Sequence, residues 1–381
     1  MSDQPNLEPP TAVPVSAIRQ LAAGDGESYL RNTVATAVEH RVSDLHFKAG
    51  APPYWRHLGE LVPIPDQGML GSQDVEDLAQ ALMDVRSAAI FAERHHVDLS
   101  YGFTGIGRVR ANIYRQRGTV AIALRVITTQ IPSAESLQLP PAVELFSKMK
   151  RGMVLVTGAT GSGKSTTLAR LIEMINERDR RHIVTIEDPI EYLFRDKVSV
   201  VNQREVGIDT PNFGDAMRAA LRQDPDVIFI GEMRDAETIT TAVRASETGH
   251  LVISTLHAPN CYDAISRLVS YFPPEEQDTQ RKAIAANLRG VISQRLLPRA
   301  DGSARVAAFE VMVVTPTIAD MIEDPERQSD IVDVIKNGRQ HSMISFDDYL
   351  FELAESGQIT RDVALANATN VTDLKLRFQG F

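Results

Sequence analysis

The spacing of apolar positions changes part-way along the chain. Between residues 98 and 127 they mostly alternate with polar ones, as in strands with one buried face, and three antiparallel strands are predicted over 98–103, 108–114 and 119–127. Upstream, helices are predicted over 29–40 and 74–83, the second with Ser72 as N-cap and Glu76 as its capping partner. Strands are predicted over 44–48 and 54–58, with Gly59-Glu60 as a hairpin tip. From Arg151 onward the pattern is different. Short continuous apolar runs over 153–157, 182–186, 226–230 and 251–254 suit parallel strands buried on both faces. Helical patterns lie between them, which predicts a doubly wound α/β sheet. A helix is predicted over 283–297, and the chain after Thr315-Pro316 reads as mostly helical. Residues 1–24 are Pro-marked and lack apolar periodicity, so they read as a disordered tail. The resulting organisation is a tail over 1–24, an α+β domain over 25–130, a linker over 131–150, an α/β core over 151–315 and a helical region over 316–381.

The densest chemistry sits where the first buried run meets the first helix of the core. Gly158-Ala159-Thr160-Gly161-Ser162-Gly163-Lys164-Ser165 fits the phosphate-binding pattern G-x-x-x-x-G-K-[ST]. A strand precedes it and a helix beginning near Thr166 follows, which is the context a P-loop needs. Gly158, Gly161 and Gly163 let the backbone N–H groups, with Thr160 and Ser162 between them, turn inward around a phosphate. The helix N-terminus adds partial positive charge. Lys164 can reach the β- and γ-phosphates, and the Ser165 hydroxyl can ligate Mg²⁺. The chain therefore binds a nucleoside triphosphate.

Hydrolysis also needs carboxylates near the γ-phosphate. The run Asp226-Val227-Ile228-Phe229-Ile230-Gly231-Glu232 would deliver Glu232 to the carboxyl edge of the sheet, where ligands bind in such folds, as candidate general base. Glu187-Asp188-Pro189-Ile190-Glu191 ends another strand and concentrates acid near the same edge, which suits a neighbouring Mg²⁺. Gly249-His250 and Thr255-Leu256-His257 flank a further strand, and the expectation is that both histidines lie at that edge. Arg108, Arg110, Arg115, Arg117 and Arg125 crowd the preceding domain. They read either as a solvated basic sheet face or as phosphate-facing groups reaching a neighbouring subunit's nucleotide.

The net charge of −10 argues against a general nucleic-acid-binding surface. The single Cys261 leaves no disulfide framework or cysteine-based zinc site, and reads as an inert packing residue. No stretch approaches the roughly 18 apolar residues of a membrane span. The N-terminal residues lack the basic and apolar regions of a signal peptide, so the expectation is a cytoplasmic protein.

Four motifs in this order resemble the secretion-superfamily ATPases, and most closely the type IV pilus retraction ATPases of the PilT/PilU family. Ser43-Asp44-Leu45-His46 with Ala49-Gly50-Ala51-Pro52-Pro53 is similar to that family's N-terminal signature. Residues 185–191 resemble its aspartate box, Gly231-Glu232-Met233-Arg234-Asp235 its Walker B element, and Glu247-Thr248-Gly249-His250 to Thr255-Leu256-His257 its histidine box. The resemblance implies a PAS-like N-terminal domain, a RecA-like P-loop NTPase domain with a helical C-terminal extension, and a homohexamer fuelled by ATP with Mg²⁺. It implies catalytic roles for Glu191 and Glu232 and γ-phosphate roles for His250 and His257. Ser165, Glu191 and Glu232 would hold the metal, partly through water. Arg110 and Arg117 are the position-matched arginines for the intersubunit nucleotide.

The implied partners are a PilT-type ATPase and a PilC-type platform protein of the inner membrane, at whose cytoplasmic face the motor would work. No nucleic acid is expected. Thr317-Ile318-Ala319-Asp320-Met321 lacks the arginine and asparagine of the PilT-type helix, and Asn287 to Leu296 and Asp373 to Arg377 resemble PilU, whereas Met233 is the PilT-like choice. A type IV secretion ATPase, a nucleotide-gated structural subunit and a nucleic-acid motor remain alternative readings.

Overall fold

The computed structural model describes residues 25–380 except 41, 58, 59, 128, 129 and 303. The tail expected over 1–24 lies outside the described residues. The chain divides into two compact units, Met1–Thr129 and Gln130–Phe381.

The first unit is built on a six-stranded antiparallel sheet. Its strands are β1 (Asp44–Lys48), β2 (Tyr54–His57), β3 (Glu60–Pro63), β4 (His96–Phe103), β5 (Gly107–Gln116) and β6 (Thr119–Ile127), in the order β3-β2-β1-β6-β5-β4. One face is polar. The other buries Leu45, Phe47, Val109, Ala111, Ile113, Ile122 and Leu124 against Leu30 and Val34 of the helix Gly26–Glu39 and Val75 and Leu78 of the helix Ser72–Leu82. The second helix starts differently from the expectation. Gly71 is its N-cap, and the Asp74 carboxylate accepts the Gly71 N–H at 2.6 Å, so Ser72 is the first helical residue and Glu76 is not the capping partner. A short helix, Val85–Arg94, was not visible in the apolar spacing, because only Phe91 is buried along it.

The second unit carries seven further strands: β7 (Gly152–Thr157), β8 (His182–Glu187), β9 (Val200–Glu205), β10 (Val227–Ile230), β11 (Leu251–Leu256), β12 (Leu288–Pro298) and β13 (Arg305–Val313). Their order is β13-β12-β7-β11-β10-β8-β9. All neighbours are parallel except β12 and β13. Strand β7 shows why its sequence reads as a continuous apolar run. Met153 and Leu155 face a layer holding Met217, Ile239, Cys261 and Ile265. Val154 and Val156 face the opposite layer, with Phe146, Leu168 and Ile172. Both faces are covered, so Met153 to Val156 are apolar without alternation. Cys261 is fully buried, and burial raises its thiol well above the usual range, as expected of a packing residue.

One expected element is corrected. The helix predicted over 283–297 ends at Asn287, and residues Leu288–Pro298 form β12 inside the sheet. The apolar residues Leu288, Val291, Ile292, Leu296 and Leu297 satisfy a helical spacing as readily as a buried strand. The sheet decides, because β12 completes the backbone ladders of both β7 and β13. Strands β9 and β13 were not anticipated either. Within 131–150 the structure has a helix, Pro141–Ser147, whose Phe146 is fully buried in the second unit's core. After β13 the chain is helical, with Pro316–Glu323, Ile331–Lys336, Phe346–Glu355, Arg361–Asn367 and Val371–Phe378. No helix among the described residues is long and apolar enough to cross a membrane.

Candidate active site

The strand order places β7, β11, β10 and β8 side by side and parallel, so their carboxyl ends share one edge. The segment after β7 is the glycine-rich stretch Gly158 to Ser165, β8 ends at Glu187, β10 leads to Glu232 and β11 leads to His257. Together they line a cleft of about 490 Å³ that includes Thr160, Gly161, Gly163, Lys164, Ser165, Thr166, Glu191, Glu232, Arg234 and His257. Gly158 and Ser162 lie on the other side of the loop, beside β12.

Gly163 sits at φ +90° as the N-cap of the helix Lys164–Arg178, which starts the helix with its N–H groups facing the cleft. The Lys164 ammonium donates to the carbonyl oxygens of Gly158 and Ala159 at 2.9 and 2.8 Å. Burial lowers its pKa, while the negative charges of Glu191 and Glu232 oppose the shift. The Thr166 hydroxyl is 2.8 Å from the Tyr192 hydroxyl.

The Glu232 carboxylate is ion-paired with Arg234 and lies 3.8 Å from His257 Nε2. The pair raises the Arg234 pKa. The backbone behind it is fixed by neighbouring strands. Gly231 N–H donates to the Ile186 carbonyl at 2.7 Å, and the Thr255 hydroxyl donates to the Gly231 carbonyl at 2.6 Å. Sequence reasoning gave Arg234 no separate role, although it stands two residues after Glu232.

His250 is elsewhere, which corrects the expectation that both histidines share an edge. It precedes β11, and its carbonyl accepts the Gly152 N–H at the start of β7. Strand β11 runs six residues from there to the cleft, roughly 20 Å at the usual rise. Its Nδ1 lies 2.9 Å from the Ala245 carbonyl and 3.2 Å from the Thr248 hydroxyl. A strand separates two residues that flank it in sequence.

In the first unit, Arg110 is exposed on β5. It stands in register with Ser100 on one side and Arg125 on the other, and Arg125 bonds Asp44 at 2.9 Å. Arg115 packs over the Phe91 ring at 5.6 Å. Arg117 is exposed in the tight turn between β5 and β6, at φ +48°.

Glu187 is the most strongly perturbed carboxyl at this edge. It is 5% exposed, and burial pushes its pKa up to about 7 from 4.5. Hydrogen bonds from Thr185 at 2.6 Å and Gln203 at 3.0 Å offset only part of that cost. Its folded pKa lies above its unfolded value, so the folded state holds the extra proton between about pH 4.5 and about pH 7. Stability from this group is complete below the unfolded pKa and is lost as pH rises through the folded one. The loss is at most about 3 kcal/mol. Glu187→Gln should remove this dependence. Denaturant unfolding of the nucleotide-free protein from about pH 5 to about pH 8 checks it, and parallel profiles for the two proteins would refute the assignment.

Residues 119–345 match the family described as Type II/IV secretion system protein. The Pseudomonas aeruginosa type IV pilus ATPase PilU is 39% identical over 339 residues, covering 89% of this chain and 88% of that protein. The P. aeruginosa type IV pilus retraction ATPase PilT is 39% identical over 337 residues, covering 88% and 96%. The crystal structure of the pilus retraction motor PilT with bound ADP superposes with a TM-score of 0.83 at 43% identity, covering 91% of this chain and 99% of that one. Likeness along nearly the whole chain, with carboxylates gathered at one sheet edge beside a glycine-rich loop, places this protein in the Type II/IV secretion system family, among its type IV pilus retraction ATPases.

Proposed function

We propose that this ATPase is an accessory motor for pilus retraction, working as a homohexamer with a PilT-type partner at a PilC-type platform on the cytoplasmic face of the inner membrane. The single observation that carries its chemistry is the shared carboxyl edge of β7, β8, β10 and β11, which brings Lys164, Glu191, Glu232 and His257 around one cleft. The antiparallel first unit supports a PAS-like domain, and the parallel sheet with its P-loop supports a RecA-like core.

In this reading the ammonium of Lys164 exchanges the Gly158 and Ala159 carbonyls for the β- and γ-phosphates of ATP. Glu232, released from Arg234, takes the proton of the attacking water, and Glu191 orients it. His257 stands on the γ-phosphate side. Ser165, Glu191 and Glu232 offer only hard oxygen donors, which fits Mg²⁺ carried on the phosphates and held partly through water, where it would neutralise charge. Lys164→Ala should lose both nucleotide binding and turnover. Glu232→Gln should keep binding and lose turnover, as measured by separate nucleotide titration and phosphate release. Near-normal turnover in Glu232→Gln would move the base to Glu191.

Arg110 and Arg117 are exposed and are the arginines matched by position to the family's intersubunit site. If either completes its neighbour's site, Arg110→Ala or Arg117→Ala should cut turnover about 10³-fold or more. Mixing that variant with Lys164→Ala should restore part of the activity, because some interfaces then hold one intact residue of each kind. No recovery at any ratio, with mixed rings verified by mass, would assign the arginine to its own subunit.

The accessory role is supported by Thr317 to Met321. These residues fall in the helix Pro316–Glu323, outside the active-site cleft, and depart from the PilT-type pattern while the cleft keeps Lys164, Glu191, Glu232 and His257. Cells lacking every other retraction ATPase should retract labelled pili rarely or weakly with this protein alone. Retraction at normal frequency and force would make it a primary motor.

A further inference from the structure

The P-loop has a second wall that the motifs do not mark. Strand β12 runs parallel to β7, with Ser293 in register with Thr157, the last residue of β7. Their hydroxyls are 2.6 Å apart and buried. One residue further on, β7 has become the P-loop while β12 continues, so Gln294 lies beside the loop. Gln294 is 4% exposed. Its Oε1 accepts the Thr167 hydroxyl of the P-loop helix at 2.8 Å. Its Nε2 lies so near Gly163 that a Cβ there would approach within 2.7 Å, and its backbone carbonyl would meet a Cβ at Gly158 at 2.4 Å. One residue therefore touches both ends of the glycine loop and the first turn of its helix.

We propose that Gln294 is a positioning residue for the phosphates: it holds the P-loop and the helix start in one geometry through Thr167, before any nucleotide arrives. The inference rests on the reading of Gly158–Ser165 as the phosphate site. A buried amide is suited to this. Its carbonyl is satisfied by Thr167, and its planar NH₂ packs against the Gly163 backbone, where any side chain would collide. The loop's N–H groups must converge on one point to bind a phosphate, and an ordered loop does so without further loss of freedom on binding. The same hold acts on bound substrate and transition state alike. Removing it should therefore raise KM and leave kcat nearly unchanged.

The test compares Thr167→Val, Thr167→Ser, Gln294→Met, the double Thr167→Val/Gln294→Met and Lys164→Ala, with ADP affinity, ATP KM and kcat, and unfolding temperature measured for each. Thr167→Val removes only the hydroxyl and should weaken ADP binding about three- to tenfold. Thr167→Ser keeps the hydroxyl and should recover most of the affinity. Gln294→Met should lose at least as much as Thr167→Val, and the double variant no more than Gln294→Met alone, because both singles break the Thr167–Gln294 contact. Unchanged ADP affinity in Thr167→Val, additive losses in the double, or equal weakening by Thr167→Ser would overturn the inference. A lowered unfolding temperature with normal KM would overturn it in favour of a purely structural contact. If Gln294→Met fails to fold, the Thr167 pair decides alone. Normal ADP affinity in Lys164→Ala would overturn the phosphate-site reading and the inference with it. Loss in Lys164→Ala beside normal affinity in Gln294→Met would overturn the inference only.

Discussion

The parallel ladder joining β7, β11, β10 and β8 is the constraint on which the site depends. Its registers pair Thr157 with Leu256, Ser254 with Ile230, and Ile230 with Ile186. Each pairing sets how far a strand reaches before its loop begins. The Gly231 N–H bond to Ile186 and the Thr255 hydroxyl bond to Gly231 carry that register one residue beyond the strands, to the point where Glu232 emerges. A shift of one residue in β8 or β10 would turn the positions that lead to Glu187 or Glu232 to the opposite face of the sheet.

The edge so formed is electrostatically loaded. Glu187, Asp188, Glu191 and Glu232 line the cleft with Lys164 and Arg234 among them. Each cation is already engaged: Lys164 with two loop carbonyls, Arg234 with Glu232. In the proposed reaction a nucleotide's phosphates would compete for both, exchanging contacts within the protein for contacts with the ligand and freeing the Glu232 carboxylate to accept a proton. The buried Glu187 is tied instead to Thr185 and Gln203, and Gln203 also donates to the Tyr192 carbonyl. The loop carrying Glu191 is thereby anchored to β9, an edge strand that contributes no cleft residue of its own.

Support also comes from the other side of the sheet. Strand β12 carries Gln294 against the loop and, next to it, Arg295, whose guanidinium lies 3.9 Å from the Phe346 ring centre and donates to the Asn367 carbonyl at 2.5 Å. Two adjacent residues of one strand thus touch the glycine-rich loop and the C-terminal helices, one from each face of the sheet.

Local spacing along the chain is enough to read the glycine-rich loop, the buried strands around it and the acid gathered behind them. These are local: a Gly-rich turn needs its glycines in place, and a strand covered on both faces is mostly apolar. That Glu191, Glu232 and His257 come to line one cleft was legible for the same reason, since each follows a buried run by a few residues. Other features became visible only in three dimensions. The residues of β12 fit a helix as well as a strand, and only the ladders to β7 and β13 chose between them. His250 stands seven residues from His257, yet a six-residue strand carries the two to opposite edges. Gln294 and Arg234 act through partners that chain proximity does not reveal: Thr167 lies 127 positions from Gln294, and Arg234 meets Glu232 only because the backbone turns after β10. Spacing along the chain records what one element must be. Which side chains meet depends on strand order and register, and these are fixed by backbone hydrogen bonds and packing between distant segments.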